Sequence, residues 1–398
     1  SLADALTGSG EALNGASEVE ITGGTIDYNE AVAVQNIAGY DSVDSGYNIS
    51  DSAGAILGAS GDVLGYQGVQ DVIANDVNSA ADALQIENNP HVTEYNLAAS
   101  FNDVTGVSVD EALAIVGTAG SSLVANAVDA STVDIIDEIS DIRTAINNGE
   151  LGSGSVLESA DVHATVADVA DALEIYVGVD TSGADSQLDG VVNTFELMES
   201  TTGAIDPSVS LSQLTIQEAQ AVYNAENSNK IDTISVVDSF GAFDAAASWL
   251  LANVNNNIHV ENVSLSEGNE LILESSGDYS SLTYSYSLDA PEVSSGIDFS
   301  DESVLDALTY IQAENGPNPQ EISILDSWDL VDDAPVLALA SVDFVHATGV
   351  AIDELTAVDA NSYVDEVSFD KGALSDSSFF ADLTIAEADL ALQYANET

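Results

Sequence analysis

The stretch Tyr47-Asn48-Ile49-Ser50-Asp51-Ser52-Ala53-Gly54-Ala55-Ile56-Leu57 reads as a short strand running into a small apolar helix. Tyr47 and Ile49 alternate with polar residues, which is the period of a half-buried strand. Asp51 or Ser52 stands where a helix N-cap is needed. Relatives recur at 234–243 and 322–328, and a weaker one at 139–146, where Ile139-Ser140-Asp141 matches Ile49-Ser50-Asp51. The recurring acids Asp51, Asp238 and Asp326 are expected to cap the helices that follow them, at about 1 kcal/mol apiece.

Reading outward from Tyr47, the same order returns. A strand at 69–73, a helix capped by Ser79 and a strand at 95–97 repeat what precedes them. Tyr47 and Tyr95 lie 48 residues apart. The expected unit is therefore β-α-β-α, about 50 residues long, within the range that marks stacked arrays. Ser/Thr followed three residues later by Glu is a capping box. It occurs at Ser108/Glu111, Thr215/Glu218 and Thr384/Glu387, and helices are expected from Thr25 and Thr165 as well. Residues 2–6 resemble the helix at 53–57 and suggest a unit whose strand has been cut away. The chain opens Ser1-Leu2 without methionine, so a processed product or a piece of something longer is expected.

The fold expected is α/β: tandem strand–helix units forming an elongated or solenoid-like array. Two stretches look like boundaries, the Gly/Ser/Asn run at 147–155 and Ser200–Pro207. They divide the chain into α/β units at 1–150, a helix plus loop at 151–206, and further units at 207–398. Residues 263–288 read as strand-like on both sides of a Ser-Ser-Gly-Asp turn, so a β-hairpin insertion is expected there.

Charge is the most unusual property. Of 398 residues, 69 are acidic and three are basic (Arg143, Lys230 and Lys371), giving a net charge of −66. Salt bridges cannot hold such a chain together, and self-repulsion opposes its compact state. Screening by salt or binding of Ca²⁺, whose hard oxygen ligands are in excess here, would relieve it. Nucleic acid and anionic membrane surfaces are excluded as partners, since both require Lys and Arg. A hydrophobic content of 45% is enough for a core. No cysteine is present, so disulfides and thiolate metal sites are ruled out. No apolar run approaches the length of a membrane span.

One constellation suggests chemistry. Residues 185–196 place Asp185, Gln187, Asp189, Val191, Asn193 and Glu196 at positions 1, 3, 5, 7, 9 and 12 of a twelve-residue loop, with Gly190 at position 6. That is the spacing of an EF-hand: alternating oxygens wrap the ion, Val191 gives its carbonyl, and Glu196 closes the shell from the exiting helix. Gln187 is longer and neutral where Asp or Asn is usual, which weakens the site. The four histidines, His91, His163, His259 and His346, show no metal spacing and are expected as surface or packing residues. No nucleophile elbow or phosphate-cradling loop occurs. Sequons stand at Asn48, Asn262 and Asn396. Trp249 and Trp328 are expected in the core.

The segment 170–196 resembles dockerin-type or single EF-hand modules. The acidic Ala/Asp/Ser-rich repetition is similar in style to large repeat proteins of bacterial cell surfaces, of the surface-layer and adhesin kind. The resemblance implies a secreted, calcium-dependent protein. A dockerin pairs two such loops; one is found here. The function expected is a non-enzymatic extracellular structural protein, stabilised by Ca²⁺, that assembles with copies of itself into a layer, fibre or appendage, including one on a virion. Surface polysaccharide is a second expected partner. The alternative is a carbohydrate-binding or carbohydrate-active module of a secreted protein, with Tyr284 and Tyr286 at its site.

Overall fold

The computed structural model describes residues 18–37, 39–42, 46–117, 123–179, 186–254, 257–274, 279, 281–294, 298–334, 341–351, 354–369, 384 and 388. The expected helix at 2–6, Asp185, Lys371, Asn396 and all of 384–391 except Thr384 and Ala388 lie outside them. The chain is mixed α/β, with strands and helices alternating. Its strands are β1 (Thr22–Ile26), β2 (Gly46–Ser52), β3 (Val69–Val77), β4 (Glu94–Leu97), β5 (Thr105–Val107), β6 (Asp134–Glu138), β7 (Asp161–Val166), β8 (Thr194–Leu197), β9 (Val236–Ser239), β10 (Ile258–Val263), β11 (Tyr284–Leu288), β12 (Ser323–Ser327), β13 (Phe344–Val350) and β14 (Glu366–Phe369).

They form four sheets, β1-β2-β3-β4, β5-β6-β7-β8, β9-β10-β11 and β12-β13-β14, each in chain order. Every strand pair within them is parallel. Two compact units divide the chain: 1–210 with 221–231, and 211–220 with 232–398.

Strands laid down in order with right-handed crossovers put all their helices on one face. Burial follows. In β7, Val162, Ala164 and Val166 are buried while His163 and Thr165 are half-buried; in β2, Tyr47 and Ile49 are buried while Asn48 and Ser50 are half-buried. β2 and β7 thus each present one buried apolar face and one half-buried face. Parallel sheets covered on both faces read as continuous apolar runs; these alternate because one face meets water.

Serines start most helices as expected. Ser52, Ser79, Ser108, Ser239 and Ser303 each accept the N–H three residues on. Two caps differ. Asp27, not Thr25, caps Tyr28–Gln35 in a capping box with Glu30. Thr165 lies in β7, and Asp168 caps Val169–Val177. Within 151–206 the described elements are β7, the helix Val169–Val177 and β8.

The recurring aspartates do something other than cap their own helices. Asp51 accepts the next N–H, from Ser52, on one oxygen at 2.7 Å, and the Tyr28 N–H on the other at 3.1 Å. Tyr28 opens the helix before β2. Asp137 binds Glu138 and Val109, Asp238 binds Ser239 and Ile216, and Asp326 binds Ser327 and Val304, all at 2.7–3.0 Å. Each carboxylate ties its strand to the first free N–H of the preceding helix, where negative charge is favoured. The member in β6 is Asp137; Asp141 lies inside Ile139–Asn148, so the 139–146 match was out of register by four residues.

Three asparagines supply a second recurring joint. Asn126 accepts the Leu97 N–H at 2.8 Å and donates to the Leu97 carbonyl at 2.9 Å. Asn227 does the same to Leu197 and Asn315 to Leu288. The residue before each asparagine, Ala125, Glu226 or Glu314, donates its N–H to Tyr95, Phe195 or Tyr286 at 2.9 Å. A primary amide has the same donor–acceptor pair as a peptide group, so each asparagine extends the ladder by one rung through its side chain.

The hairpin expected near 263–288 is not formed. Residues 265–274 are a helix, and β10 and β11 are parallel, with Ile258 beside Tyr284 and Val263 beside Leu288. Ser264 and Glu267 start that helix through reciprocal bonds. Leu271 is buried while Leu273 is 63% exposed, as helical spacing dictates. Gly268 in it leaves no room for a Cβ against the buried Thr309, which also donates to Asn269 at 2.6 Å.

Candidate functional site

Residues 187–191 form a turn, with Gly190 at φ +72° as the loop pattern requires. The exiting helix is missing: Glu196 lies in β8, paired with Thr165. Asn193 is committed elsewhere. Its carboxamide oxygen accepts the Val162 N–H at 3.1 Å and its own N–H binds the Val162 carbonyl at 2.8 Å. Thr93 does this to Val72 and Asp365 to Val345. Position 9 of the supposed loop is thus a strand-start clamp found in three sheets. The structure thus places Glu196 on a strand where the EF-hand reading of 185–196 expects an exiting helix. Gln187, Asp189 and Val191 sit in the turn, and no group of three His, Asp or Glu among the described residues is placed to hold a metal ion.

The turn is organised around a different cation. Arg143 reaches from Ile139–Asn148 to both oxygens of Glu174, at 3.1 and 3.0 Å, and to Asp171 at 2.5 Å. Glu174 accepts a 2.6 Å bond from Ser186 Oγ, which in turn accepts the Leu188 N–H at 3.0 Å. Leu188 is buried beneath. Burying a carboxylate is tolerable only when it is paired and hydrogen-bonded, and the Glu174 carboxylate is both.

Three of the four histidines occupy one position in the fold. His163, His259 and His346 stand on the open faces of β7, β10 and β13, in register with Ile136, Val237 and Leu325 on the preceding strand. On the following strand they face Thr194, Ser285 and Glu366. His163 Nδ1 is hydrogen-bonded to Thr194 Oγ1, and its Nε2 lies 3.3 and 3.5 Å from Asp134 and Asp161. His259 bonds Ser285 at 2.9 Å and Ser287 at 3.1 Å. His346 bonds Ser368 at 2.7 Å with Glu366 at 3.8 Å. Around His259 is an open depression of about 470 Å³ reaching Gln213, Asn257 and Glu314.

An imidazole, a hydroxyl and a carboxylate are the ingredients of acyl-transfer chemistry. A relay also needs donors placed for an oxyanion and a cleft that excludes water. These groups lie on open sheet faces, and the hydroxyls serve as cross-strand partners, the ordinary currency of sheets. The tyrosines expected at a sugar site are engaged within the fold: Tyr286 is buried and donates to the Thr309 carbonyl at 2.8 Å, and half-buried Tyr284 donates to the Leu271 carbonyl at 3.0 Å with its ring 5.3 Å from Phe243. Trp328 is buried as expected.

Two signals in the sequence mark this arrangement and escape a search for metal spacing. Val-His-Ala-Thr occurs at 162–165 and again at 345–348. Glu-Asn occurs at 226–227 and 314–315, in each case with the asparagine twelve residues after the Thr or Ser at the head of the helix.

Buried tyrosines set a limit at alkaline pH. Burial pushes Tyr47 and Tyr310 up to about 12, and pushes Tyr95 and Tyr286 further, from an ordinary 10.0. Above pH 10 the unfolded chain loses phenolic protons that the fold retains, so stability falls as pH rises. Unfolding followed by circular dichroism should set in between pH 10 and 12 and coincide with tyrosinate absorbance. Ionisation complete at pH 10 in the folded state would contradict this.

Comparison with protein-family models, curated proteins and solved structures finds no match to the chain.

Proposed function

We propose that the protein is a non-enzymatic structural component of an extracellular or cell-surface assembly. In this reading the strand–helix units continue as an elongated, solenoid-like array that associates with copies of itself into a layer, fibre or appendage. The observation that carries it is recurrence: among the described residues the aspartate joint appears four times and the asparagine joint three times, with the same atoms in the same roles. Repeated units joined by repeated contacts are how stacked arrays are stabilised. The net charge of −66 fits a setting in which salt or divalent cations screen the surface. Calcium enters this reading as the cation that would offset that charge.

Small-angle scattering, light scattering and electron microscopy at fixed ionic strength, with CaCl₂ or with EDTA, test this reading. It expects an elongated particle that associates as calcium and protein concentration rise. A compact particle that stays monomeric in both would overturn it.

A further inference from the structure

The glutamates before two of the asparagine joints face the histidines. Glu314 Oε1 lies 3.6 Å from His259 Nδ1, and Glu226 Oε2 lies 3.9 Å from His163 Nδ1. Each glutamate reaches across the sheet's last strand to the strand before it. In the first sheet both positions change together: Ile73 replaces the histidine and Ala125 the glutamate. Each histidine also has a hydroxyl partner, Thr194 for His163, Ser285 and Ser287 for His259. A hydroxyl can donate to a bare ring nitrogen or accept from a protonated one, so neither state of the ring breaks the network.

We propose that these His–Glu pairs are proton-responsive joints, which become ion pairs in mild acid and fasten the last strands, β8 and β11, of their two sheets. Histidine is the side chain whose charge ordinarily changes between about pH 5 and 8. Around His259 the groups that bear on the switch are Glu314, Ser285, Ser287 and the Glu261 carboxylate lining the same depression, with Val237 on the remaining side. Around His163 they are Asp134, Asp161, Glu226 and Thr194, with Ile136 opposite. Protonation adds attraction in both places. The device works in the single chain and does not depend on assembly.

The test is a double-mutant cycle on His259→Gln and Glu314→Gln in the full chain. Urea unfolding is followed by fluorescence of Trp249 and Trp328, both in the second unit, at about pH 5.5 and about pH 8.5 and fixed ionic strength. The pair should lower the unfolding constant about 2- to 5-fold at the acid pH, with no coupling at the alkaline pH. Should His259→Gln fail to fold, Glu314→Gln against wild type decides alone, since its cost must be larger in acid. Equal coupling at both pH values, or none at either, overturns the proposal.

Discussion

Replacing Arg143 with methionine is expected to destabilise the protein by about 3 kcal/mol, the lower end of the cost of stranding a buried charge. The lower end applies because the Arg143 side chain is 35% exposed, whereas that of Glu174 is 9% exposed. Without the guanidinium, the Glu174 carboxylate loses both of its bonds to Arg143 and stands beside Asp171 in a chain with almost no other cations. Adding Glu174→Gln should restore most of the loss, since the amide still accepts from Ser186 and carries no charge. Urea midpoints by circular dichroism measure both variants. A loss below 0.5 kcal/mol, the range of ordinary surface substitutions, would show that the pair is not structural.

The second large effect is expected at Asn227. Asn227→Leu removes both bonds to Leu197, whose residue is wholly buried, and leaves its N–H and C=O without partners. Each orphaned group costs about 1–3 kcal/mol, so about 2–6 kcal/mol is expected for the pair. Asn315→Leu should behave alike through Leu288. Asn29→Leu, at an exposed helical position, should change stability by less than about 0.5 kcal/mol. Equal effects at Asn29 and Asn227 would mean that the side-chain rung contributes nothing.

The local grammar of the fold was legible in the sequence: Tyr47 and Ile49 alternate, serines cap, and the order of strand and helix returns. Partnership was not. Asp51 is placed by its neighbours in sequence as a cap, yet its second oxygen serves a helix 23 residues upstream, and only the parallel register brings Tyr28 there. Leu271 and Leu273 alternate like a strand, yet Ser264 and Glu267 start a helix that keeps one of them buried and the other exposed. The 185–196 loop was misread at Glu196 for a related reason. Its spacing fits an ion, but Asn193 and Glu196 hold positions that Thr93 and Asn96 also hold in the first sheet, and spacing within one segment cannot display that equivalence. The histidines were passed over because each was judged alone; their meaning lies in the repeat.

Amide hydrogen exchange at Leu97, Leu197 and Leu288 in leucine-labelled protein tests the central claim, that side chains of Asn126, Asn227 and Asn315 act as rungs joining successive elements of one recurring scaffold. The account predicts that all three amides exchange as slowly as the buried backbone of β2 or β7, and that Asn227→Leu releases Leu197 alone. Exchange at the rate of an open loop in the unsubstituted protein, at all three leucines, would contradict it.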